Sequence, residues 1–75
     1  MEKILLEHFY KHLYELSYAY YCDQYSSQCY SSEIKEHFLK AKALKDVLDD
    51  LGLTYAPNYL GYCDYMIDLT DFSGY

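Results

Sequence analysis

The chain has no arginine and no tryptophan, one proline and three glycines in 75 residues, and six lysines against twelve acids. Each shortage excludes something. Proteins that grip nucleic acid do so with clustered cations that displace counterions from phosphates. A chain without arginine and with a formal net charge of -6 is therefore not expected to bind nucleic acid directly. No apolar run approaches the ~20 residues that a bilayer-spanning helix requires. Glu7 and His8 interrupt Ile4-Leu5-Leu6, so a secretory apolar segment is not expected either. The three cysteines, Cys22, Cys29 and Cys63, are an odd number without a CxxC pair, which suits reduced thiols better than a disulfide framework. The expectation is a cytoplasmic protein (host-cell cytoplasm if viral) in a single small domain, 1–75. That length leaves no room for a two-domain cleft enzyme.

What is abundant is tyrosine, at twelve residues. Leu, Ile, Val and Phe together make up only about 24% of the chain, narrowly above the roughly 20% below which a charged chain stays unfolded. An adequate core must therefore recruit tyrosines, each buried one finding a partner for its hydroxyl.

Helical periodicity begins at Glu2. Leu5, Phe9, Leu13, Leu16 and Tyr20 share one stripe, while Glu7 with Lys11 and Lys11 with Glu15 stand at ion-pair spacing. Beside the aliphatic stripe, Tyr10, Tyr14, Tyr18, Tyr21 and Tyr25 fall within an arc of about 80° if the helix runs that far. The combined arc exceeds the ~100° that a helix capping a small core needs. A third element of the same chain, a second copy or another protein is expected to cover the excess. A serine-rich connection follows, and Ser32 is the expected N-cap of a second helix carrying Ile34, Phe38, Ala41, Leu44, Leu48 and Leu51 on its apolar face. Gly52 is its expected stop, with Leu53 folding back on Leu48 in a Schellman motif. The fold class read from this pattern is mainly α: a two- to three-helix bundle with helices over about 2–21 or beyond and 33–51.

For 53–75 two periodicities compete. A strand places Cys63, Tyr65, Ile67 and Leu69 on one face, with residues 53–56 as its nearest partner; a short helix turns Cys63, Met66, Ile67 and Thr70 inward. The helix is slightly favoured, and the alternative is an α+β fold with a C-terminal β-ribbon. Either periodicity puts Asp64 and Asp68 on one face, and the helix adds Asp71.

The charge is segregated. Residues 1–45 hold all six lysines and six acids, so 46–75, with Asp46, Asp49, Asp50, Asp64, Asp68 and Asp71, carry the whole -6. Asp46, Asp49 and Asp50 crowd the end of the second helix, where the macrodipole disfavours anions. A local rule broken without structural benefit points to function.

Catalytic signals are lacking: there is no nucleophile elbow, phosphate loop, zincin motif or dinucleotide fingerprint. Asp64 with Asp68 has no apolar pocket to separate two carboxyl pKa values, and the acids do not follow a calcium loop. No enzyme activity is expected. His8 and His12 stand at i,i+4, with Cys22, Cys29 and His37 as conceivable further ligands. The pair falls opposite the aliphatic stripe, so the simpler reading is two solvent-facing histidines beside Glu7 and Glu15, with neither metal nor cofactor; a His/Cys metal protein is the remote alternative.

Recognition remains. Small, arginine-free, acidic, aromatic-rich chains of this kind resemble in general character phage-encoded inhibitors of host defence or host nucleic-acid enzymes, nucleic-acid mimics among them. That likeness implies a protein partner with a basic, nucleic-acid-binding surface. The candidate partner-binding residues are Asp46, Asp49, Asp50, Asp64, Asp68 and Asp71 with Tyr62 and Tyr65, together with Tyr10, Tyr14, Tyr18 and Tyr21. The competing expectation is an oligomerisation or adaptor module, a homodimer for example, using the tyrosine ridge while the acids maintain solubility.

Overall fold

A computed structural model describes residues 2–26 and 28–70 of the chain. Helix α1 spans Glu2–Tyr25 and helix α2 spans Ser31–Leu51. They pack as an antiparallel hairpin, and a short antiparallel ribbon of β1 (Asn58–Leu60) and β2 (Met66–Asp68) lies along α1. Among the described residues no helix is long and apolar enough to cross a membrane.

The expected stripes form the core. Phe9, Leu13, Leu16 and Ala19 of α1 meet Ile34, Phe38, Ala41 and Leu48 of α2, and Ile67 and Leu69 close the cluster from the ribbon side. Phe9, Leu13, Leu16 and Leu48 are fully buried, each stabilising the fold by roughly 1.5–3 kcal/mol through loss of apolar surface to water. Leu5, Tyr20 and Leu44 are half-buried beside them, whereas Leu51, expected on the stripe, is 57% exposed because the helix ends there. Gly52 takes a left-handed φ of 72°. Its N–H donates to the Asp49 carbonyl and that of Leu53 to the Leu48 carbonyl, the paired bonds of the expected Schellman stop.

The start of α2 differs from expectation. The helix begins one residue before Ser32, Tyr30 holds the cap position, and no side chain caps it. The Tyr30 N–H is instead satisfied by Asp23 Oδ1 at 3.2 Å, which ties the end of α1 to the start of α2. Neither ion pair expected within α1 is found among the described residues, and Glu15 turns across to His37 on α2 instead.

The tail corrects the favoured third helix: it is the ribbon. Its register pairs Asn58 with Asp68, Tyr59 with Ile67 and Leu60 with Met66. The strand partner is thus 58–60 rather than 53–56. Alternation sends Tyr59 and Ile67 toward α1 and leaves Leu60 and Met66 outside. Tyr62–Asp64 form one tight turn in which Cys63 and Asp64 both have positive φ, 50° and 61°. Two successive left-handed residues make a type I′ reversal, whose twist matches paired strands and which ordinarily carries Asn-Gly. Asp64 lies in this turn and Asp68 in the strand, so the single periodicity expected to align them does not run through both.

Candidate functional site

The ribbon covers part of the tyrosine ridge of α1. Tyr55 packs on Phe9 with ring centroids 5.4 Å apart, Tyr59 stacks on Tyr10 at 5.7 Å, and Tyr65 stacks on Tyr20 at 5.7 Å. Tyr62 meets Tyr18, Tyr21 and Tyr14 edge-on at 4.8, 5.3 and 6.2 Å. A third element of the same chain therefore takes up much of the excess arc. What stays outside is a row: Tyr14 is 47% exposed, Tyr18 44% and Tyr25 68%.

Tyr62 reaches the ridge because its backbone is fixed there. Ser17, fully buried in α1, donates its hydroxyl hydrogen to the Tyr14 carbonyl at 2.6 Å and accepts the Tyr62 N–H at 2.8 Å. Gly61 passes directly over Ser17; a Cβ there would overlap the serine Oγ and Cβ. Neither residue stood out in the sequence. Gly61 beside a strand pattern was the available signal, since an isolated glycine there marks close backbone approach.

Beside the exposed row, Tyr14, Glu15, Tyr18 and Ala19 of α1 face Tyr30, Glu33 and His37 across a groove of about 260 Å³. A shallower groove of about 630 Å³ adjoins it between Glu7, Tyr10, Lys11, Tyr14, Glu15 and Tyr59. The first is walled by three phenol rings and two carboxylates without a lysine. Its chemistry follows from the chain: no lysine occurs between Lys11 and Lys35, and this stretch builds the loop end of the hairpin. Asp23 and Glu33 are exposed there, and the turn puts Asp64 beside Tyr62 at the same end. The neutral first half is thus neutral only on average.

Several groups here have shifted acidities. A hydrogen bond with the Cys22 thiol raises the Tyr18 phenol, and one with Cys63 raises Tyr62. The neighbouring Cys63 charge raises Tyr21, and desolvation raises Tyr30. Cys29 is drawn below its ordinary value by hydrogen bonds from the Ser31 hydroxyl and backbone.

The other candidate acids divide by role. Asp49 accepts the Tyr55 hydroxyl at 2.6 Å and pairs with Lys45 at 3.1 Å, and Asp68 accepts the N–H and hydroxyl of Thr70. Both serve the fold. Asp46 and Asp50 are exposed near the end of α2. That end lies by the start of α1, since Tyr55 packs on Phe9 while Tyr62 packs on Tyr18; nine residues of helix separate these contacts by about 14 Å. The acidic tail is thereby split into two groups. Asp71 lies outside the described residues.

The histidines also rearrange. His8 is exposed, while His12, expected in solvent, is half-buried against His37 with ring centroids 6.3 Å apart. His37 Nδ1 lies 3.1 Å from Glu15 Oε2. Comparison with protein-family models, curated proteins and solved structures finds no match for this chain.

Proposed function

We propose that the chain is a non-catalytic binding protein that docks, through the tyrosine-lined, lysine-free loop end of its helical hairpin, onto a basic surface of a partner protein. The observation that carries this reading is the groove between Tyr14, Tyr18 and Tyr30 with Glu15 and Glu33 in its walls. A lysine or arginine side chain entering it meets phenol faces and a carboxylate together. Cation–π contact contributes ~0.5–1 kcal/mol at exposed sites and about 2 when water is excluded, and tyrosines supply contact area at low entropic cost. Asp64 is exposed on the turn that sets Tyr62 against Tyr14 and Tyr18, and the two left-handed residues of that turn are neither glycine nor asparagine. Strain of that kind is retained where it serves a site.

A basic surface that normally holds nucleic acid would be occluded by such docking, so an inhibitor acting as a nucleic-acid mimic is the specific form of this proposal. Carboxylates and phenol rings would take the places of phosphates and stacked bases. Asp46 and Asp50 offer a second anionic patch at the far end of the hairpin, to be reached by a partner with an extended basic face.

The test is capture of partners by the tagged chain from a lysate of its native host, at low and high salt, alongside a Glu33→Gln/Asp64→Asn variant. The expected result is a partner with a basic surface that is released by salt and not retained by the variant. A partner held equally by both proteins at high salt contradicts the proposal. Self-association, the competing reading, is checked by light scattering on the same preparations.

A further inference from the structure

We propose that His12, Glu15 and His37 form a binding site for one divalent transition-metal ion, zinc in the first place, that clips α1 to α2. His12 and Glu15 are three residues apart on α1 and so share a face, and His37 approaches that face from α2. One ligand atom from each residue lies within 4.8 Å of the others. Tetrahedral zinc, with bonds of about 2.0–2.2 Å, holds its ligand atoms about 3.4 Å apart. Small side-chain rotations on two fixed helices close that gap.

The second observation is unsatisfied polarity. Nδ1 of His12 and Nδ1 of His37 are both shielded from solvent without a hydrogen-bond partner. His37 Nδ1 lies near Glu15 in distance, at 3.1 Å, yet the contact lacks hydrogen-bond geometry. A buried polar atom without a partner is costly. A cation bound beside Glu15 would satisfy His37 Nδ1, which already lies 3.1 Å from that carboxylate.

The donor set selects the ion. Two imidazoles and a carboxylate suit zinc and its neighbours cobalt, nickel and copper, whereas calcium and magnesium require more oxygen ligands. Lys40 and Lys11 are the cations nearest His12. Lys40 turns away to Glu36 at 3.0 Å. Three protein ligands leave a fourth position for water or an exogenous donor. The site borders the docking groove and shares Glu15 and His37 with its wall; Tyr14, Tyr18 and Glu33 are not ligands, and the Glu33→Gln/Asp64→Asn variant leaves all three ligands in place, so the two readings fail separately.

The experiment is titration of the full chain with Co²⁺, read by its d–d absorbance and followed by displacement with Zn²⁺. One ion per chain is expected, with tetrahedral bands and no thiolate charge-transfer band, together with a zinc-dependent rise in Tm. Glu15→Gln and His37→Gln are expected to weaken binding by at least ~10-fold, with His8→Ala unchanged. Both substituted side chains are partly exposed, at 36% and 20%, and circular dichroism verifies that these variants fold. Absence of binding, a thiolate band abolished by Cys29→Ser or Cys63→Ser, or affinity unaffected by His37→Gln overturns the proposal.

Discussion

Gly61 lies so close over Ser17 that a β-carbon at 61 would overlap the serine hydroxyl, and that same hydroxyl accepts the N–H of Tyr62 at 2.8 Å. This contact joins the tail to the middle of α1 and sets the position of the tyrosine surface. Gly61→Ala is expected to destabilise the fold by about 1–3 kcal/mol, the range for overpacking a filled site. Ser17→Ala, which removes the acceptor of a part-buried N–H, is expected to cost about 1–3 kcal/mol. Combining them gives no rescue, because the Cβ of residue 17 also blocks the added methyl. Urea unfolding of the two single variants and the double variant measures this; recovery of stability in the double variant would show that the contact is not tight.

The turn at Cys63 and Asp64 predicts an opposition between stability and binding. Both have positive φ, where a side chain costs about 1–2 kcal/mol relative to the right-handed region. Asp64→Gly is expected to stabilise the chain by up to about 1 kcal/mol while weakening partner binding. A raised urea midpoint with reduced affinity is the expected pair of results, and a lowered midpoint counts against the turn geometry.

Among the acids, structural and displayed carboxylates are separable. Asp49 holds Tyr55 and Lys45, and the Tyr55 hydroxyl bond is the larger cause of its lowered pKa, followed by Lys45. Asp49→Asn is expected to lower the denaturation midpoint, whereas Asp46→Asn and Asp50→Asn leave it unchanged or raise it by relieving repulsion at the helix C-terminus. Equal midpoints for all three would remove the distinction.

Alkaline pH should unfold the protein earlier than its carboxylates and lysines alone suggest. Desolvation raises Tyr59, Tyr55 and Tyr30, and thiol hydrogen bonds raise Tyr18 and Tyr62, above the ordinary phenol value of 10.0. A group whose folded pKa is raised contributes stability that is fully present below its unfolded pKa and is lost as pH climbs through the folded value. Stability is therefore expected to fall from pH about 10 upward, with tyrosinate absorbance rising in two stages, the later one coincident with loss of helical dichroism. A single uncoupled titration near pH 10 with the helices intact would contradict this.

Both helices, most of the core and the Schellman stop were legible in the sequence because 3.6-residue periodicity and a well-placed glycine are local signals. The ribbon was harder to read. Alternation from Cys63 to Leu69 competed with a helical pattern, and what decides between them is non-local: Ser17 accepting a hydrogen bond from a residue 45 positions away. The tyrosine ridge was visible as an arc, but its division into covered and displayed rings depends on where Tyr59, Tyr62 and Tyr65 land. Charge segregation along the chain did not survive folding, because α2 carries Asp46 and Asp50 to one end while the turn brings Asp64 toward the other. The histidine cluster was legible only in part, for the same reason. Spacing along one helix suggested His8 with His12, whereas the meeting of two helices selects His12, Glu15 and His37.

The proposed docking requires an anionic, aromatic surface to recognise a basic one. The measurement that tests it most directly is the dissociation constant between the chain and its captured partner as a function of salt, for the natural sequence and for Glu33→Gln/Asp64→Asn. The account predicts affinity that falls steeply with ionic strength, a loss of at least ~10-fold in the variant, and a shallower salt slope once those charges are gone. Affinity indifferent to salt and unchanged in the variant would contradict it.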